Sequence, residues 1–251
     1  MRSRLVSLVV IVGAAIVSWQ LLVMAGDFPV YIVPGPADVL EALGNEIGGL
    51  VRASGVTLLE ATAGLVLGAV AGITLAVLIT FWGHLEQGLM SLALLVKSTP
   101  IIAIAPILTI WMGFGAGPKV AVTALLTFFP VLINALEGFR SVDVAMLDWA
   151  RSIDAPKREV FVQLRWPSAR PFLFAALKVV APLSLIGAVV AEWVGASSGL
   201  GRHMWVAYTN LDMPSLFAAV LALASMSALI YWAADMAERK GVPWEASQAS
   251  V

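Results

Sequence analysis

The sequence predicts an all-α integral membrane protein with six transmembrane helices, and three observations support that prediction. Of its 251 residues, 60% are hydrophobic and 12% are charged, whereas soluble domains carry about 25% charged residues. Six segments have the roughly twenty apolar residues that a helix needs to cross a bilayer. The lysines and arginines gather on one side of those segments. We expect a single transmembrane domain over residues 1–251.

The predicted spans follow one another along the chain. They cover residues 5–25, 56–80, 88–113, 118–137, 172–194 and 214–234. The first span follows Arg2 and Arg4 and is longer than the 7–15-residue core of a signal peptide, so we interpret it as an uncleaved helix. Between the first two spans, residues 38–50 are predicted to form a short amphipathic helix at the membrane surface.

The third predicted span contains residues that disfavour a straight helix. Pro100 and Pro106 lie within it, and Gly113, Gly115 and Gly117 follow. Proline removes a backbone hydrogen bond and kinks a helix, which a bilayer tolerates where neighbouring groups satisfy the freed carbonyl. Two interpretations are open: a kinked helix packed among its neighbours, or a bent helix that lines a path through the membrane.

The distribution of basic residues predicts the orientation in the membrane. With a cytoplasmic N-terminus, ten lysines and arginines fall inside and three fall outside, as the positive-inside rule requires. Those inside are Arg2, Arg4, Arg140, Arg151, Lys157, Arg158, Arg165, Arg170, Arg239 and Lys240, and those outside are Arg52, Lys119 and Arg202. Both termini are therefore expected in the cytoplasm, and residues 140–171 form a cytoplasmic loop.

The residue types that the sequence lacks exclude several kinds of chemistry. There is no cysteine, and the two histidines, His84 and His203, do not suffice for a histidine metal site or a Ser-His-Asp triad. The phosphate-binding P-loop pattern is absent from the chain. We therefore expect no cofactor in this chain and no nucleic-acid partner, and any ATP-Mg must be bound by a partner protein.

The loop 140–171 contains a charged, aromatic stretch, "LDWARSIDAPKREVFVQLRWPSARP". Its first half predicts a short amphipathic helix, because apolar residues recur there at helical spacing with polar residues on the opposite face. The apolar set is Val142, Met146, Trp149, Ala150 and Ile153. The helix should end near Asp154, Ala155 and Pro156, because the residue before a proline avoids the helical region.

A second short helix is predicted to begin at Pro156, since proline suits a first helical turn. It runs through "KREVFVQLRW", buries Val160, Phe161 and Leu164, and stops at Pro167. A basic loop with one membrane-surface helix would account for the arginines alone. Two helices that each carry an apolar face instead favour docking into a groove of another protein.

The spacing in this loop resembles the cytoplasmic "EAA" signature of ABC importer permeases: E-A-A, three residues, G, nine residues, I, one residue, L-P. The matching positions are Asp148, Trp149, Ala150, Asp154, Leu164, Trp166 and Pro167. The chain departs from the signature with Asp for Glu at 148, Trp for Ala at 149 and Asp for Gly at 154. Aspartate is among the few residues that tolerate the left-handed turn that glycine normally makes.

Four further stretches resemble the permease branch that serves nitrate, sulfonate, taurine and thiamine-precursor importers: "VPGPADVL", "STPIIAIAPILTIWMGFGAGPKV", "FFPVLINALEGFRSV" and "AEWVGASSGLGRHM". The resemblance implies a type I ABC importer-like permease with a cytoplasmic coupling-helix loop, in the bacterial cytoplasmic (inner) membrane. It also implies a second permease subunit (usually a copy, giving a homodimer), two cytoplasmic ATPase subunits and an extracytoplasmic substrate-binding protein. The ATPase-coupling candidates are Asp148, Trp149, Ala150, Ile153, Asp154, Ala155, Pro156, Val160, Phe161, Leu164 and Pro167.

A second group of residues is predicted to line the translocation path or its gate. These candidates are Ser98, Thr99, Pro100, Trp111, Asn134, Glu192 and Trp193. Ionisable groups within a bilayer are costly and are therefore functional suspects. We hypothesise that the segment after Glu192, "VGASSGLG", forms an outer gate or contacts the binding protein. For the deeper Lys97 and Lys178 we expect an ion pair or a tie between helices.

The substrate is the property that the sequence indicates least. Trp111, Trp193, Trp205 and Tyr208 could stack on a flat heterocycle or anchor the helices at the membrane interface. The stretch "AEWVGASSGLG" resembles thiamine-precursor (pyrimidine) permeases more than sulfonate permeases. We expect a permease, not an enzyme, that imports a pyrimidine or related heterocycle. The alternatives are an importer of sulfonate, taurine or nitrate and, more remotely, a secondary transporter or an intramembrane enzyme.

Overall fold

A computed structural model describes residues 2–243, and within that range the chain is helical with no β-strand. Its helices are α1 (Arg2–Gly26), α2 (Pro36–Phe81), α3 (Glu86–Ser98), α4 (Ile101–Met112), α5 (Gly117–Arg140), α6 (Val144–Ser152), α7 (Lys157–Val160), α8 (Trp166–Trp193), α9 (Leu200–Thr209) and α10 (Met213–Gly241). The predicted all-α class is confirmed. The predicted domain, residues 1–251, extends beyond the described residues at both ends, and the side chains of Arg2 and Arg4 are not among those described.

Most of the predicted spans lie in long apolar helices. Within residues 2–243, four unbroken helices are long and apolar enough to cross a membrane: α2, α5, the continuous helix Lys157–Trp193 and α10. The predicted span 88–113 is instead two helices, α3 and α4, which meet at an angle of 91°. The predicted span 5–25 lies within the 25 residues of α1, of which several N-terminal side chains are not described. The described residues therefore contain four spans, or five if the bent pair counts as one, and the total of six stays a prediction.

The predicted surface helix over residues 38–50 is not a separate element. Those residues belong to α2, which continues for 46 residues. The helix begins where the Asp38 carboxylate accepts a hydrogen bond from the Gly35 N–H at 2.8 Å, with Pro36 in the first turn. No proline follows until the helix has ended, so nothing interrupts it. At 1.5 Å per residue α2 is about 69 Å long, more than twice the thickness of a bilayer core.

Three glycines of α2 allow α5 to pack directly against its backbone. Gly64, Gly68 and Gly72 recur every fourth residue and so lie on one face of the helix. A Cβ at Gly68 would lie 2.2 Å from the Thr127 hydroxyl oxygen and 2.5 Å from the Ala124 carbonyl oxygen. Small residues at such a face bring membrane helices close enough for extensive van der Waals contact. This close pair forms the centre of the bundle.

The half of the core that adjoins the loop 140–171 is built around α5 and α8. Leu132, Leu136 and Phe139 of α5 are buried together with Ala76 and Ile79 of α2. Helices α5 and α8 approach closely where Gly138 of α5 faces Ala169 of α8. A Cβ at Gly138 would lie 2.8 Å from the Ala169 Cα. The Phe139 ring stacks on Trp166 with 6.1 Å between ring centroids. These contacts fix the start of α8 against the end of α5.

The predicted stop of the second loop helix at Pro167 is wrong. A π turn over Phe161–Arg165 joins α7 to α8, in which the Trp166 N–H donates to the Phe161 carbonyl. Proline lacks an N–H and its ring crowds the carbonyl four residues earlier. A π turn spaces hydrogen bonds by five residues instead of four, which accommodates Pro167 without ending the helix. As a result the fifth predicted span, residues 172–194, continues a helix that already starts in the loop, at Lys157.

The bend between α3 and α4 lies at residues 98–100. Pro100 caps the start of α4 with an extended backbone, whereas Pro106 lies inside α4. Gly113 ends α4 with a φ of 83°, a conformation that a side chain disfavours. The structure thus shows a bend of 91° between two helices, a feature that both interpretations of this region share.

Candidate coupling loop and translocation path

The turn between the two loop helices, α6 and α7, is left-handed. Asp154 adopts a φ of 49° there, a conformation that aspartate tolerates. Its N–H donates to the Arg151 carbonyl at 3.0 Å, and the Ala155 N–H donates to the Ala150 carbonyl at 3.0 Å. These two bonds form a Schellman motif, the common end of a helix whose last residue is usually glycine. The departure from glycine at 154 is therefore compatible with the expected turn.

The first loop helix, α6, divides its apolar residues between two environments. The Asp143 carboxylate begins the helix by accepting a hydrogen bond from the Ala145 N–H at 2.8 Å. Ala150 is 3% exposed and faces the membrane domain, whereas Trp149 and Ile153 are 62% and 56% exposed. Asp148 pairs with Arg151 at 2.7 Å on the exposed surface. The exposed apolar face of α6 therefore has no covering within the part of the chain described.

The second half of the loop is attached to the membrane domain by an aromatic cluster. The Phe161 ring lies 5.2 Å from that of Phe81 and 5.1 Å from that of Phe139, measured between centroids. Val160 and Leu164 are half-buried beside it. Phe161 thus holds the loop to the ends of α2 and α5, while Asp154 and Pro156 at the turn are exposed. The predicted coupling residues therefore separate into an outward group on α6 and an inward, anchoring group.

The predicted path residues do not form one site. Ser98, Thr99 and Pro100 are exposed at the break between α3 and α4. The Asn134 side chain donates to the Pro130 carbonyl of its own helix at 2.8 Å. Trp111 is 77% exposed. Its ring has no aromatic neighbour among the rings of the described residues.

Glu192 is fully buried at the end of α8. Its carboxylate accepts hydrogen bonds from the Thr57 hydroxyl of α2 at 2.6 Å and from the Gly201 N–H in the first turn of α9. The Thr57 hydroxyl oxygen in turn accepts from the Leu200 N–H at 2.8 Å. The free N–H groups and the dipole of a helix N-terminus favour a carboxylate. Glu192 therefore ties α9 to α2 and α8, and its carboxylate does not reach a surface in this conformation.

Close approach around this carboxylate depends on glycine. A Cβ at Gly199 would lie 2.2 Å from a Glu192 carboxylate oxygen, and Gly199 has a φ of 109°. A Cβ at Gly201 would lie 2.4 Å from the Val189 carbonyl oxygen. Both positions require glycine, which explains the composition of "GASSGLG" in terms of packing around Glu192.

A buried lysine beside this network was placed on the outer side by the topology prediction. Lys119 is buried in the first turn of α5, with its Nζ 3.5 Å from a Glu60 carboxylate oxygen and 3.0 Å from the Gly115 carbonyl oxygen. The other Glu60 carboxylate oxygen is buried and has no hydrogen-bond partner among the residues described. Thr57 and Lys119 were not among the predicted site residues. The only sequence signal for Thr57 is its spacing of one turn from Glu60 on α2.

Two lysines within the spans make the contacts expected of them. Lys178 of α8 forms an ion pair with Glu238 of α10. Lys97 of α3 lies over the Phe129 ring of α5, 4.6 Å from its centroid. Each contact joins two helices through a partly shielded charge.

Three aromatic side chains form a row at the other end of the bundle. The Trp193 and Trp205 rings are 6.2 Å apart between centroids, and Trp205 is 6.0 Å from Tyr208. All three remain at least partly exposed, so their faces are available to other groups. Rings at such distances expose flat apolar surface together with polar N–H and O–H edges.

The chain is a helical bundle with a broken third predicted span and a helical loop over residues 140–171, and comparison with known sequences identifies the class of protein to which it belongs. A model of the family described as "binding-protein-dependent transport system inner membrane component" matches residues 64–241. The chain belongs to this family: it is a multi-pass inner-membrane permease of a binding-protein-dependent ABC importer.

Individual relatives cover most of the chain. It is 34% identical over 235 residues to a probable ABC transporter permease of Haemophilus influenzae, covering 94% of this chain and 96% of that protein. It is 36% identical over 193 residues (76% and 77% of the two chains) to the formylaminopyrimidine transport permease ThiX of Halalkalibacterium halodurans. It is 32% identical over 236 residues (92% and 87%) to the riboflavin transport system permease RibX of Chloroflexus aurantiacus.

The fold has a counterpart among solved structures. The inward-facing MetNI methionine ABC transporter contains a chain that superposes with a TM-score of 0.69, at 17% identity, over 78% of this chain and 97% of that one. At that identity the match establishes the fold alone. It confirms the type I importer architecture expected from the sequence.

Proposed function

We propose that two copies of this chain form the translocation path of an importer for a flat nitrogen heterocycle of the pyrimidine type. In this proposal an extracytoplasmic binding protein delivers the solute, and two cytoplasmic ATPase subunits dock on the loop 140–171. ATP-Mg is bound and hydrolysed by the ATPase subunits. Both termini of the chain lie in the cytoplasm.

The exposed apolar face of α6 supports ATPase docking at this loop. Trp149 and Ile153 lie four residues apart on one face and are largely exposed. An amphipathic helix whose apolar face has no covering suits a groove in a partner protein. The aromatic cluster around Phe161 joins the loop to α2 and α5. Movement imposed on α6 by a partner would therefore be transmitted to the spans as rigid-body motion.

The break between α3 and α4 supports a path or an interface at this point. Ser98, Thr99 and Pro100 are exposed there between two apolar helices. Irregular backbone does not face lipid within a bilayer, because its polar groups would lack partners. In a membrane this break therefore requires a covering of protein or a lining of water. A second copy of the chain and a central aqueous path between the copies meet that requirement.

The single observation that supports the substrate class is the exposed aromatic row, Trp193, Trp205 and Tyr208. Aromatic rings offer stacking surfaces to planar heterocycles. Two relatives above 30% identity are named for planar heterocycles, formylaminopyrimidine and riboflavin. The tetrahedral sulfonate group has no comparable flat face. This difference favours a pyrimidine-like solute over a sulfonate.

Reconstitution of the complete importer tests the proposal. The chain, its ATPase and its binding protein would be placed in liposomes, and uptake of radiolabelled aminopyrimidine would be compared with uptake of taurine. We expect uptake that needs both partner proteins and internal ATP, and that an excess of unlabelled pyrimidine abolishes. Uptake by the chain without the ATPase would contradict the permease assignment. Preferential uptake of taurine would contradict the substrate class alone.

A further inference from the structure

A cavity of about 300 Å³ lies between the end of α2 and the loop helices. Its wall includes Thr80 and Phe81 of α2, Leu147 and Arg151 of α6, Lys157 of α7 and Arg165 of the π turn. We call it the basic cavity, because three of its nine lining side chains are cationic. Within the described chain, no aspartate or glutamate contributes to its wall.

Two of the three cations have unused hydrogen-bonding capacity. Arg151 is paired with Asp148 at 2.7 Å. Arg165 is half-buried and donates one N–H to the Phe139 carbonyl at 3.3 Å, although a guanidinium carries five such donors. Lys157 is exposed, and neither it nor Arg165 has an ion pair with any of the residues described. The basic cavity thus presents one ammonium and most of one guanidinium to whatever occupies it.

A second cavity, of about 450 Å³, lies further along α2 and the continuous helix Lys157–Trp193. We call it the apolar cavity; its wall includes Ala69 and Ile73 of α2 and Leu173, Phe174 and Leu177 of α8. Ile73 precedes Thr80 by seven residues, which places it about 10 Å deeper along α2. Trp166 and Arg170 complete the wall nearer the basic cavity. The basic cavity therefore lies at the end of these two helices, and the apolar cavity lies deeper along them.

We propose that an anionic phospholipid of the inner leaflet binds here, with its phosphate on Lys157 and Arg165 and an acyl chain in the apolar cavity. Basic pockets between transmembrane helices on the cytoplasmic side match phospholipid head groups in charge and depth. The inference rests on the proposed orientation, which puts this end of the bundle in the cytoplasm.

The site differs from the surface assigned to the ATPase. Leu147 and Arg151 lie on the side of α6 that lines the basic cavity. Trp149 is two residues from each of them, roughly 200° around a helix of 3.6 residues per turn, and therefore faces the other way. A soluble phosphate would use the basic cavity alone. The apolar cavity has a use only if the ligand carries hydrocarbon.

Lipid binding to the purified chain tests the proposal without any ATPase. Native mass spectrometry in detergent would measure the dissociation constants of phosphatidylglycerol and phosphatidylcholine for the wild type and for Lys157→Gln/Arg165→Gln. Each surface charge contributes about 1 kcal/mol to attraction of anionic lipid, so we expect the double variant to bind phosphatidylglycerol roughly tenfold or more weakly. Arg158→Gln/Lys240→Gln is the matched control, because it too removes two cytoplasmic charges. Both of these residues are exposed, and neither lines either cavity.

Two further variants keep the test valid if the double variant folds poorly. Arg165→Lys retains the charge and should retain phosphatidylglycerol. Ala69→Trp fills the apolar cavity without changing any charge and should weaken binding several-fold. Equal binding by wild type and double variant, or equal losses in the double variant and its control, would overturn the proposal. Complete displacement of the lipid by millimolar inorganic phosphate would assign the basic cavity to a soluble anion instead and would also overturn it.

The result is separable from the proposed transport function. Loss of lipid binding with intact docking of the ATPase on α6 would leave the permease assignment unchanged. Retained lipid binding with no ATPase docking would overturn the coupling role of the loop alone.

Discussion

The Thr57 hydroxyl donates to the Glu192 carboxylate at 2.6 Å and accepts from the Leu200 N–H at 2.8 Å, so that one side chain joins α2, α8 and α9. The two residues are 135 positions apart in the chain. Glu192 and Thr57 are both fully buried. A buried carboxylate is stable only when its oxygens are hydrogen-bonded, and here the N-terminus of a helix supplies part of that bonding.

We predict that Glu192→Ala loosens α9 from the bundle. The substitution leaves the Gly201 N–H without its acceptor, at a cost of about 1–3 kcal/mol for an unsatisfied buried group. The Thr57 hydroxyl keeps only its longer bond, to the Ala53 carbonyl at 3.2 Å. Glu192→Gln should lose less, since the amide oxygen still accepts. Thermal unfolding in detergent would measure the difference. Glu137→Ala, at an exposed position, is the control, and equal unfolding temperatures for the two alanine variants would refute the structural role.

We predict that Gly68→Val separates α2 from α5. The first side-chain atom would overlap the Thr127 hydroxyl at 2.2 Å and the Ala124 carbonyl at 2.5 Å. Because one of these atoms is backbone, rotation of a side chain cannot relieve the overlap, and overpacking of this kind costs about 1–3 kcal/mol or more. Unfolding of the purified protein in detergent would measure the loss.

A matched glycine in the same helix distinguishes packing from helix propensity. Gly55 has no atom within 4 Å of the position that its Cβ would occupy. Gly55→Ala should therefore stabilise the helix by up to about 1 kcal/mol. Gly68→Ala adds the same methyl group as Gly55→Ala and should destabilise the protein, because its Cβ meets α5. Similar destabilisation by Gly55→Ala would show that loss of glycine itself, and not close contact with α5, is responsible.

We predict that Asp154→Gly preserves the loop and that Asp154→Val disturbs it. The left-handed φ of 49° is open to glycine, is tolerated by aspartate and costs a β-branched residue about 1–2 kcal/mol. The readout is protection of the Ala155 N–H, bonded to the Ala150 carbonyl, against hydrogen exchange. Equal protection in both variants would show that the turn does not depend on residue 154.

We predict that Trp149→Glu weakens binding of the ATPase without destabilising the permease. Trp149 is 62% exposed, so the folded chain loses little packing when it is replaced. An exposed tryptophan at the centre of an interface commonly contributes 2 kcal/mol or more, and we expect affinity to fall by about thirtyfold. A pull-down with the purified ATPase would measure it. Gln163→Glu, exposed in the same loop, is the control, and equal binding by both variants would exclude α6 as the docking helix.

The sequence predicted those elements that depend on local properties. The left-handed turn at Asp154 follows from the backbone preferences of one residue and the proline two positions later, and the structure contains it. The spans 118–137 and 214–234 follow from apolar length, and α5 and α10 contain them. The ends of elements were harder. Pro167 was taken as a helix stop because the sequence does not reveal the π turn that accommodates it.

The contacts around Glu192 could not be predicted for a different reason. Lys119 was placed on the outer side because it stands at the outer end of the predicted span 118–137. Its burial depends on Glu60, which is distant in the chain and is brought near only when α2 packs on α5. The same packing brings Thr57 to Glu192. A single sequence does not encode such pairings in any local pattern.

Composition and hydropathy by themselves determined that the chain is an all-helical membrane protein, and the resemblance of the loop 140–171 and four further stretches to known permeases implied the importer class. Those properties are sums over neighbouring residues, so they can be evaluated without knowledge of the fold. Only the tertiary structure decided that the third span is bent by 91° and that α2 is one helix of 46 residues. It alone decided that Glu192 lies at the N-terminus of α9, because the partners of a buried charge depend on how distant helices pack.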